Sequence, residues 1–337
     1  MLSQLQGDSY GWLAHQLLQA IARGQRPPFR DLDGASKEWL RGRRIDSLAY
    51  NHLEPIPETQ VIYQAIFNAQ IKALREVIKA LENAGIEVIT FKGAEFLTRY
   101  FSSTAINVMA DVDILIRRRH IDKARQVLGE LAYRQAAIRN GELHDFDDAS
   151  ILDAERNHYE LVAFRRLDEF ELSPDASGLN SDADRCLVRA GDRLLLAIAV
   201  DVHHRVATNI DGEEFFDRAT PSAVGCDLSM SPGDHLWFTV SRYYTQAAYG
   251  KTSLRDFAYL AAAISDSQCD WDLVMDADAR FDLGAALFYY LAFLDKLVAG
   301  VVPSAVLERT DPRRASGGID WGWQLSRLFE QPEPYPL

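Results

Sequence analysis

Between Ile62 and Ile116 the apolar residues of this chain change their period, and that change sets the class of fold. Ile62, Ile66, Ala69, Ala73, Val77, Leu81 and Ala84 recur at spacings of three and four, the stripe of one long amphipathic helix. Gly85 is suited to end it, because a residue without a side chain takes the left-handed conformation at no steric cost. Glu87-Val88-Ile89-Thr90-Phe91 is short, apolar and β-branched, and predicts a buried strand. Lys92-Gly93 and a helical stretch from Ala94 to Tyr100 follow. Asp111–Ile116 then alternates, with Val112, Ile114 and Ile116 on one face and Asp111, Asp113 and Leu115 on the other.

The remainder extends this pattern. Residues 120–131 predict a helix with Ile121, Ala124, Val127, Leu128 and Leu131 inward. Residues 137–156 are polar and acidic and read as a loop, His158–Phe164 as a third strand, and residues 165–193 as an inserted loop or hairpin. Leu196–His203 predicts a fourth strand with two unlike faces. Leu196, Ile198, Val200 and Val202 form one, and Ala197, Ala199, Asp201 and His203 the other, which is small and then polar, as the floor of a site would be. From about residue 212 the stripes are helical: Leu254, Phe257, Ala258, Ala261 and Ile264, then Leu283, Ala286, Leu287, Tyr290, Leu291, Leu294 and Val298, with Pro303 ending the region. The expected architecture is α+β. A short-helix segment (1–57) precedes a core with a small mixed sheet (58–210), a C-terminal helical bundle (211–310) and a Gly/Pro/Trp-rich tail (311–337).

Composition narrows the partners. The chain has 337 residues, 47% hydrophobic and 25% charged, which is globular and not disordered. A net charge of -13 withholds the counterion-release term that drives general nucleic-acid binding, so DNA or RNA is disfavoured as a large substrate. Cys186, Cys226 and Cys269 are too scattered for a disulfide framework or a structural zinc site. No basic, apolar leader opens the sequence and no run approaches a membrane span, so a cytoplasmic, membrane-free protein is expected.

The chemistry concentrates around Asp111-Val112-Asp113. Two carboxylates two residues apart on a strand project from one face, ~7 Å apart along the chain, and a cation relieves their repulsion. Mg²⁺ favours a few carboxylates together with phosphate oxygens and water. A second such spacing, Asp182 and Asp184, lies in a polar stretch and reads as solvated. The strand that runs into Lys92-Gly93 and then a helix offers free backbone N–H groups, a natural phosphate site, to which Lys92 adds a point charge. Asp201, on a strand whose other face is aliphatic, is costly to bury unpaired. A metal or an acceptor hydroxyl would explain it, and so would a salt bridge to Arg205 or a hydrogen bond to His203 or His204. Glu160, on one face with His158, is the second candidate for a third carboxylate. His203 suits an outer hydrogen-bonding role better than a zinc site.

The stretch from Phe91 to Tyr133, with Phe-Lys-Gly-Ala-Glu-Phe-Leu, Asp-Val-Asp-Ile-Leu-Ile and Leu-Gly-Glu-Leu-Ala-Tyr, resembles the uncharacterised nucleotidyltransferase family of the DNA polymerase β-like superfamily. Val200-Asp201-Val202-His203 is similar to that family's acidic-x-His strand. Leu254-Arg255-Asp256-Phe257, Asp270-Trp271-Asp272 and Val302-Pro303 are similar to landmarks of its helical half, so the likeness spans roughly residues 60–303 in order. The resemblance implies a short mixed sheet, Gly93 at the nucleotide phosphates, and Mg²⁺ or Mn²⁺ held by Asp111, Asp113 and Asp201. It also implies transfer of a nucleoside monophosphate from ATP or another nucleoside triphosphate to a small-molecule, peptide or protein hydroxyl, with pyrophosphate leaving.

Two positions depart from the pattern. Gly93 is followed by Ala94, where the superfamily favours Ser or Gly, so phosphate contact would rest on backbone N–H groups, Lys92, Ser102 or Ser103. Asn107 stands where an arginine often precedes the Asp pair. These departures leave a catalytically weak or inactive binding protein as an alternative. A glycosyltransferase holding a nucleotide diphosphate sugar through Asp-x-Asp is the other.

Overall fold

The computed structural model of the protein describes residues 10–101, 108–156, 158–171, 178–207, 210–225, 228–248, 254–266 and 269–311. Ser102, Ser103, Asn107 and most of the tail lie outside the described residues. The chain divides into two compact units, Met1–Pro57 with Pro232–Leu337, and Glu58–Ser231. Among the described residues no helix is long and apolar enough to cross a membrane.

In the first unit, helices α1 (Gly11–Ala22), α2 (Gly34–Gly42) and α3 (Asp46–Tyr50) come from the N-terminal segment. In the second unit, α4 (Glu58–Asn83) is the long helix expected from its stripe, and its apolar positions Ile62, Ile66, Ala73, Leu74, Val77 and Leu81 are buried. Strand β1 (Val88–Thr90), α5 (Gly93–Phe101), β2 (Val112–Ile116), α6 (Ile121–Glu130), β3 (Arg134–Arg139), β4 (Glu142–Asp145), α7 (Asp148–Glu155) and β5 (Phe164–Glu169) follow. Then come α8 (Ser181–Cys186), β6 (Leu187–Ala190), β7 (Arg193–His203), β8 (Arg205–Ala207), β9 (Ile210–Asp211), α9 (Glu213–Asp217) and β10 (Leu228–Ser229). The first unit resumes with α10 (Pro232–Ala248), α11 (Leu254–Ile264), α12 (Trp271–Phe281), α13 (Gly284–Leu297) and α14 (Ser304–Thr310). There α1 packs against α11 and α13, and α10 against α11, α12 and α13. Phe257 stacks on Tyr290 at 5.1 Å in its core. Pro303 does not end the helical region; it caps the start of α14.

The α+β class holds: the second unit is built on an eight-stranded mixed sheet in the order β10-β1-β2-β7-β5-β3-β4, with β6 also paired to β7. Strand β7 is its axis. Along one edge, Arg193–Leu196 pair with β6 and Val200–His203 pair in parallel with β2. Along the other edge, Leu195–Val200 pair with β5. Every residue of β2 is buried, so its alternation separates two packed faces and not core from solvent.

Three expectations change here. The strand expected over His158–Phe164 lies instead at Phe164–Glu169, as β5, with β3 and β4 before it; the earlier segment joins the sheet through one bridge, Glu160 to His203, and through Leu161 N–H donating to Val202 O at 2.9 Å. Its charges disguised β5. Arg166 lies over the Tyr133 ring at 4.6 Å and pairs with Glu76 and Asp168, so a cationic residue covers the sheet with its stem and plane. Residues 137–156 are not one loop but the β3–β4 hairpin and α7. The hairpin turns on Asn140 and Gly141, both at positive φ (51° and 80°), the conformation an Asn-Gly turn supplies. A Cβ at Gly141 would stand 2.5 Å from the Ala190 Cβ, so only glycine fits. Asp182 is not solvated: it is fully buried in α8, whose start is capped by the Asn180 side chain, whereas Asp184 is exposed.

One buried side chain ties α4 to the approach of β2. Gln70 Nε2 donates to Met109 O at 2.6 Å, and Gln70 Oε1 accepts from Met109 N at 3.2 Å. Gln70→Leu keeps the volume, strands the Met109 N–H and leaves Met109 O only the Cys186 thiol, which donates to it at 3.0 Å. It should cost about 1–3 kcal/mol in chemical denaturation and speed hydrogen exchange at the Met109 amide. An unchanged midpoint and exchange rate would show that the clamp holds nothing.

Candidate functional site

The register of β2 on β7 sets Asp113 directly opposite Asp201. Paired residues on neighbouring strands share a face and lie about 5 Å apart across the ladder, so the two carboxylates rise side by side. Asp113 is buried and Asp111, just before the strand, is exposed. Asp201 is half-buried.

Lys92 enters the same space from the turn between β1 and α5. Its backbone sits at φ 56°, a left-handed conformation that costs a side-chain-bearing residue about 1–2 kcal/mol. Its carbonyl accepts from Phe96 N–H at 3.0 Å and so opens α5. The Lys92 ammonium forms an ion pair with Asp113 Oδ1 and lies 3.1 Å from His203 Nε2. Gly93, the first residue of α5, carries no positive φ, and a Cβ there would meet only the Met109 side chain at 3.5 Å, an ordinary contact. The strained residue of this turn is therefore the lysine, not the glycine.

His203 gathers the other members. Its Nε2 is 3.0 Å from Asp113 Oδ1 and 3.0 Å from Glu160 Oε2, and the ring is fully buried. Two carboxylate oxygens around Nε2 favour a proton there, whereas the Lys92 ammonium beside it, which can only donate, favours its lone pair. Phe91 meets the imidazole edge-on at 4.9 Å and Tyr159 stacks on it at 5.5 Å, which fixes the plane of the ring. Glu160 thus reaches the cluster through His203 from a loop, and not from a strand face as expected.

Asp201 stands apart in its bonding. Among the described residues no hydrogen bond reaches its carboxylate, and neither Arg205 nor His204 pairs with it. Burial raises its pKa most, the carboxylates of Asp113, Asp111 and Glu160 raise it further, and Lys92 opposes them without prevailing; the result is about 8. Negative charge that Lys92 leaves uncompensated is the feature that fits a divalent cation on this donor set. The side chains do not yet enclose one: among the described residues no group of three His, Cys, Asp or Glu side chains is arranged to hold a metal, and Lys92 occupies Asp113 Oδ1.

A hub absent from the sequence reading is Glu95, wholly buried on the first turn of α5. It accepts from Thr90 Oγ1 at 3.0 Å, Ser222 Oγ at 2.8 Å, Ala223 N at 3.0 Å and Arg99 Nε at 3.0 Å. These bonds lock the helix start to β1 and to the segment at 222–223. The sole sequence signal was a glutamate two residues after Gly93, which reads equally well as an exposed first-turn acid.

The acidic cluster is thus carried on two central strands, beside the start of α5. The model of the family described as uncharacterised nucleotidyltransferase matches residues 50–299, and the chain belongs to that family. No curated protein and no solved structure matches it.

The Asp201 shift has a sign that can be checked. A carboxyl with a folded pKa near 8 and an ordinary unfolded value adds stability that is complete below about pH 4 and is lost as pH rises through 8. With chelator present, Asp201→Asn should therefore melt a few degrees above the parent at pH 8.5, at roughly 2–4 °C per kcal/mol, with the gap closing toward pH 5. A gap that is constant across pH would place the Asp201 carboxyl in an ordinary environment.

Proposed function

We propose that this protein is a divalent-cation-dependent nucleotidyltransferase that moves a nucleoside monophosphate from a nucleoside triphosphate to a hydroxyl of a small molecule, peptide or protein. The observation that carries the reading is the Asp113–Asp201 pair, set opposite each other by the β2–β7 register and flanked by Lys92 at the start of α5. Mg²⁺ or Mn²⁺ would be held by Asp111, Asp113 and Asp201, and when bound it neutralises phosphate charge and the charge that develops on the leaving group.

The chain's own groups have distinct tasks. The N-terminus of α5, from Gly93, presents backbone N–H groups and the positive end of the helix dipole to phosphate oxygens. Lys92 supplies a mobile point charge beside them. The acceptor oxygen attacks the α-phosphorus; its new O–P bond forms as the bond to pyrophosphate breaks, and the acceptor proton passes to the Asp201 carboxylate. Asp201, opposite Asp113 across the β2–β7 ladder, is the carboxylate offered for that transfer. His203 and Glu160 hold Asp113 in orientation from behind.

The test is calorimetric titration of the full chain with ATP, GTP, CTP and UTP in Mg²⁺, paired with transfer of α-phosphate label. At least one triphosphate should bind. Asp111→Ala and Asp113→Ala should each weaken its binding about tenfold or more, and with Asp201→Ala they should cut label transfer about 100-fold. Failure of all four nucleotides to bind would overturn the reading.

A further inference from the structure

Lys92 occupies an oxygen on which a cation at the acidic pair would load. Its ammonium, only 11% exposed, is paired with Asp113 Oδ1, the buried oxygen of the central acidic pair. The same oxygen is 3.0 Å from His203 Nε2, so Asp113 Oδ1, the Lys92 ammonium and the imidazole are packed against one another. The Lys92 ammonium lies over Phe91, with Nζ 5.1 Å from the ring centre, and the lysine backbone holds a left-handed φ of 56°. Strain of this kind persists where the surroundings impose it, and here the surroundings are the Asp113 contact and the Glu95 bonds that lock α5. An ammonium and a divalent cation on one carboxylate oxygen repel each other, so only one occupies it.

We propose that Lys92 is a built-in counter-ion that blocks the metal position on Asp113 until a phosphate-bearing ligand draws its ammonium away. The device deepens the nucleotidyltransferase reading and rests on it. In the free protein Lys92 neutralises Asp113 and keeps the site weak for divalent cations. The Lys92-Gly93 turn places the same ammonium next to the helix start where phosphate oxygens would sit, so a small swing of a flexible four-carbon stem exchanges a carboxylate partner for a phosphate partner. Cation and phosphate then bind together and poorly apart, because each supplies what removes the obstacle to the other. Lys92 is on this account a positioning residue with a specific thermodynamic signature: its charge opposes the metal alone and favours the metal with nucleotide.

The experiment is Mn²⁺ titration of the full-length protein, followed by electron paramagnetic resonance of free Mn²⁺, with and without a non-hydrolysable nucleoside triphosphate. Lys92→Met, which keeps the stem and removes the charge, should bind Mn²⁺ alone about tenfold more tightly than the parent. Lys92→Arg should stay as weak as the parent. Added nucleotide should tighten Mn²⁺ about tenfold or more in the parent and far less in Lys92→Met. Equal or weaker Mn²⁺ binding by Lys92→Met would overturn the proposal while leaving the nucleotidyltransferase reading intact. Mn²⁺ binding by neither protein, with or without nucleotide, would sink both. The unmodified protein gives a second readout that needs no variant: saturating Mn²⁺ alone should raise acylation of the Lys92 amine, followed by peptide mass spectrometry. Labelling that Mn²⁺ leaves unchanged would equally overturn the proposal.

Discussion

The parallel pairing of β2 with β7 is the constraint on which the rest of the site depends. Val112, Ile114, Val200 and Val202 are all essentially inaccessible, and together they pin the register. A slip of one residue would turn every one of these side chains onto the opposite face, so the packing of the aliphatic face dictates where Asp113 and Asp201 point. The carboxylates are thus set opposite each other at the expense of hydrophobic burial elsewhere in the same strands, and their repulsion is carried by the sheet and not relieved by it. Burial first, and the neighbouring carboxylates after it, push the Asp201 carboxyl up to about 8, whereas Asp113 has Lys92 and His203 on its oxygen.

The turn from β1 into α5 is pinned from both sides. On one side Glu95, buried and bonded to Thr90, Ser222, Ala223 and Arg99, fixes the first turn of the helix. On the other, His203 holds Phe91 edge-on and lies within reach of the Lys92 ammonium. Two polar hubs therefore bracket the three residues Phe91, Lys92 and Gly93. A turn held this way can keep a non-glycine residue in the left-handed region, because releasing it would leave buried charges without partners. Rigidity of the backbone and mobility of the lysine tip are compatible: the first is set by Glu95 and the helix, the second by four methylenes.

What was legible in the sequence follows a physical division. Elements with a strong apolar period, α4, β2, β7 and α6, were readable because one or both faces are buried and the side-chain types report it directly. Strand β5 was hidden because Arg165 and Arg166 fold their guanidinium groups onto neighbouring backbone and ring, so charged residues occupy positions that pattern reading reserves for apolar ones. The β3–β4 hairpin has its signal in Asn140-Gly141, masked by the acidic residues around it. In the site, the grouping of Asp113 with Asp201 follows from the family resemblance and not from periodicity or spacing. Glu95, Gln70 and the ring contacts of His203 could not be anticipated, since their importance lies in long-range hydrogen bonds and stacking that local spacing does not encode. Asp182 shows the converse: a spacing that mimics the functional pair, buried for a structural reason at a capped helix start.

The charge of the whole chain bears on the order of events in the proposed reaction. At -13 overall, and with Asp111, Asp113, Asp201 and Glu160 around one space, the protein repels a triphosphate that carries its full negative charge. A triphosphate already complexed with its cation arrives with much of that charge cancelled, and it brings both the phosphate that can receive the Lys92 ammonium and the metal that can replace it on Asp113. Charge balance therefore favours entry of the complex over entry of either component alone. On the proposed reading, the acidity of the site and the Lys92 ammonium on Asp113 both favour a nucleotide already paired with its metal.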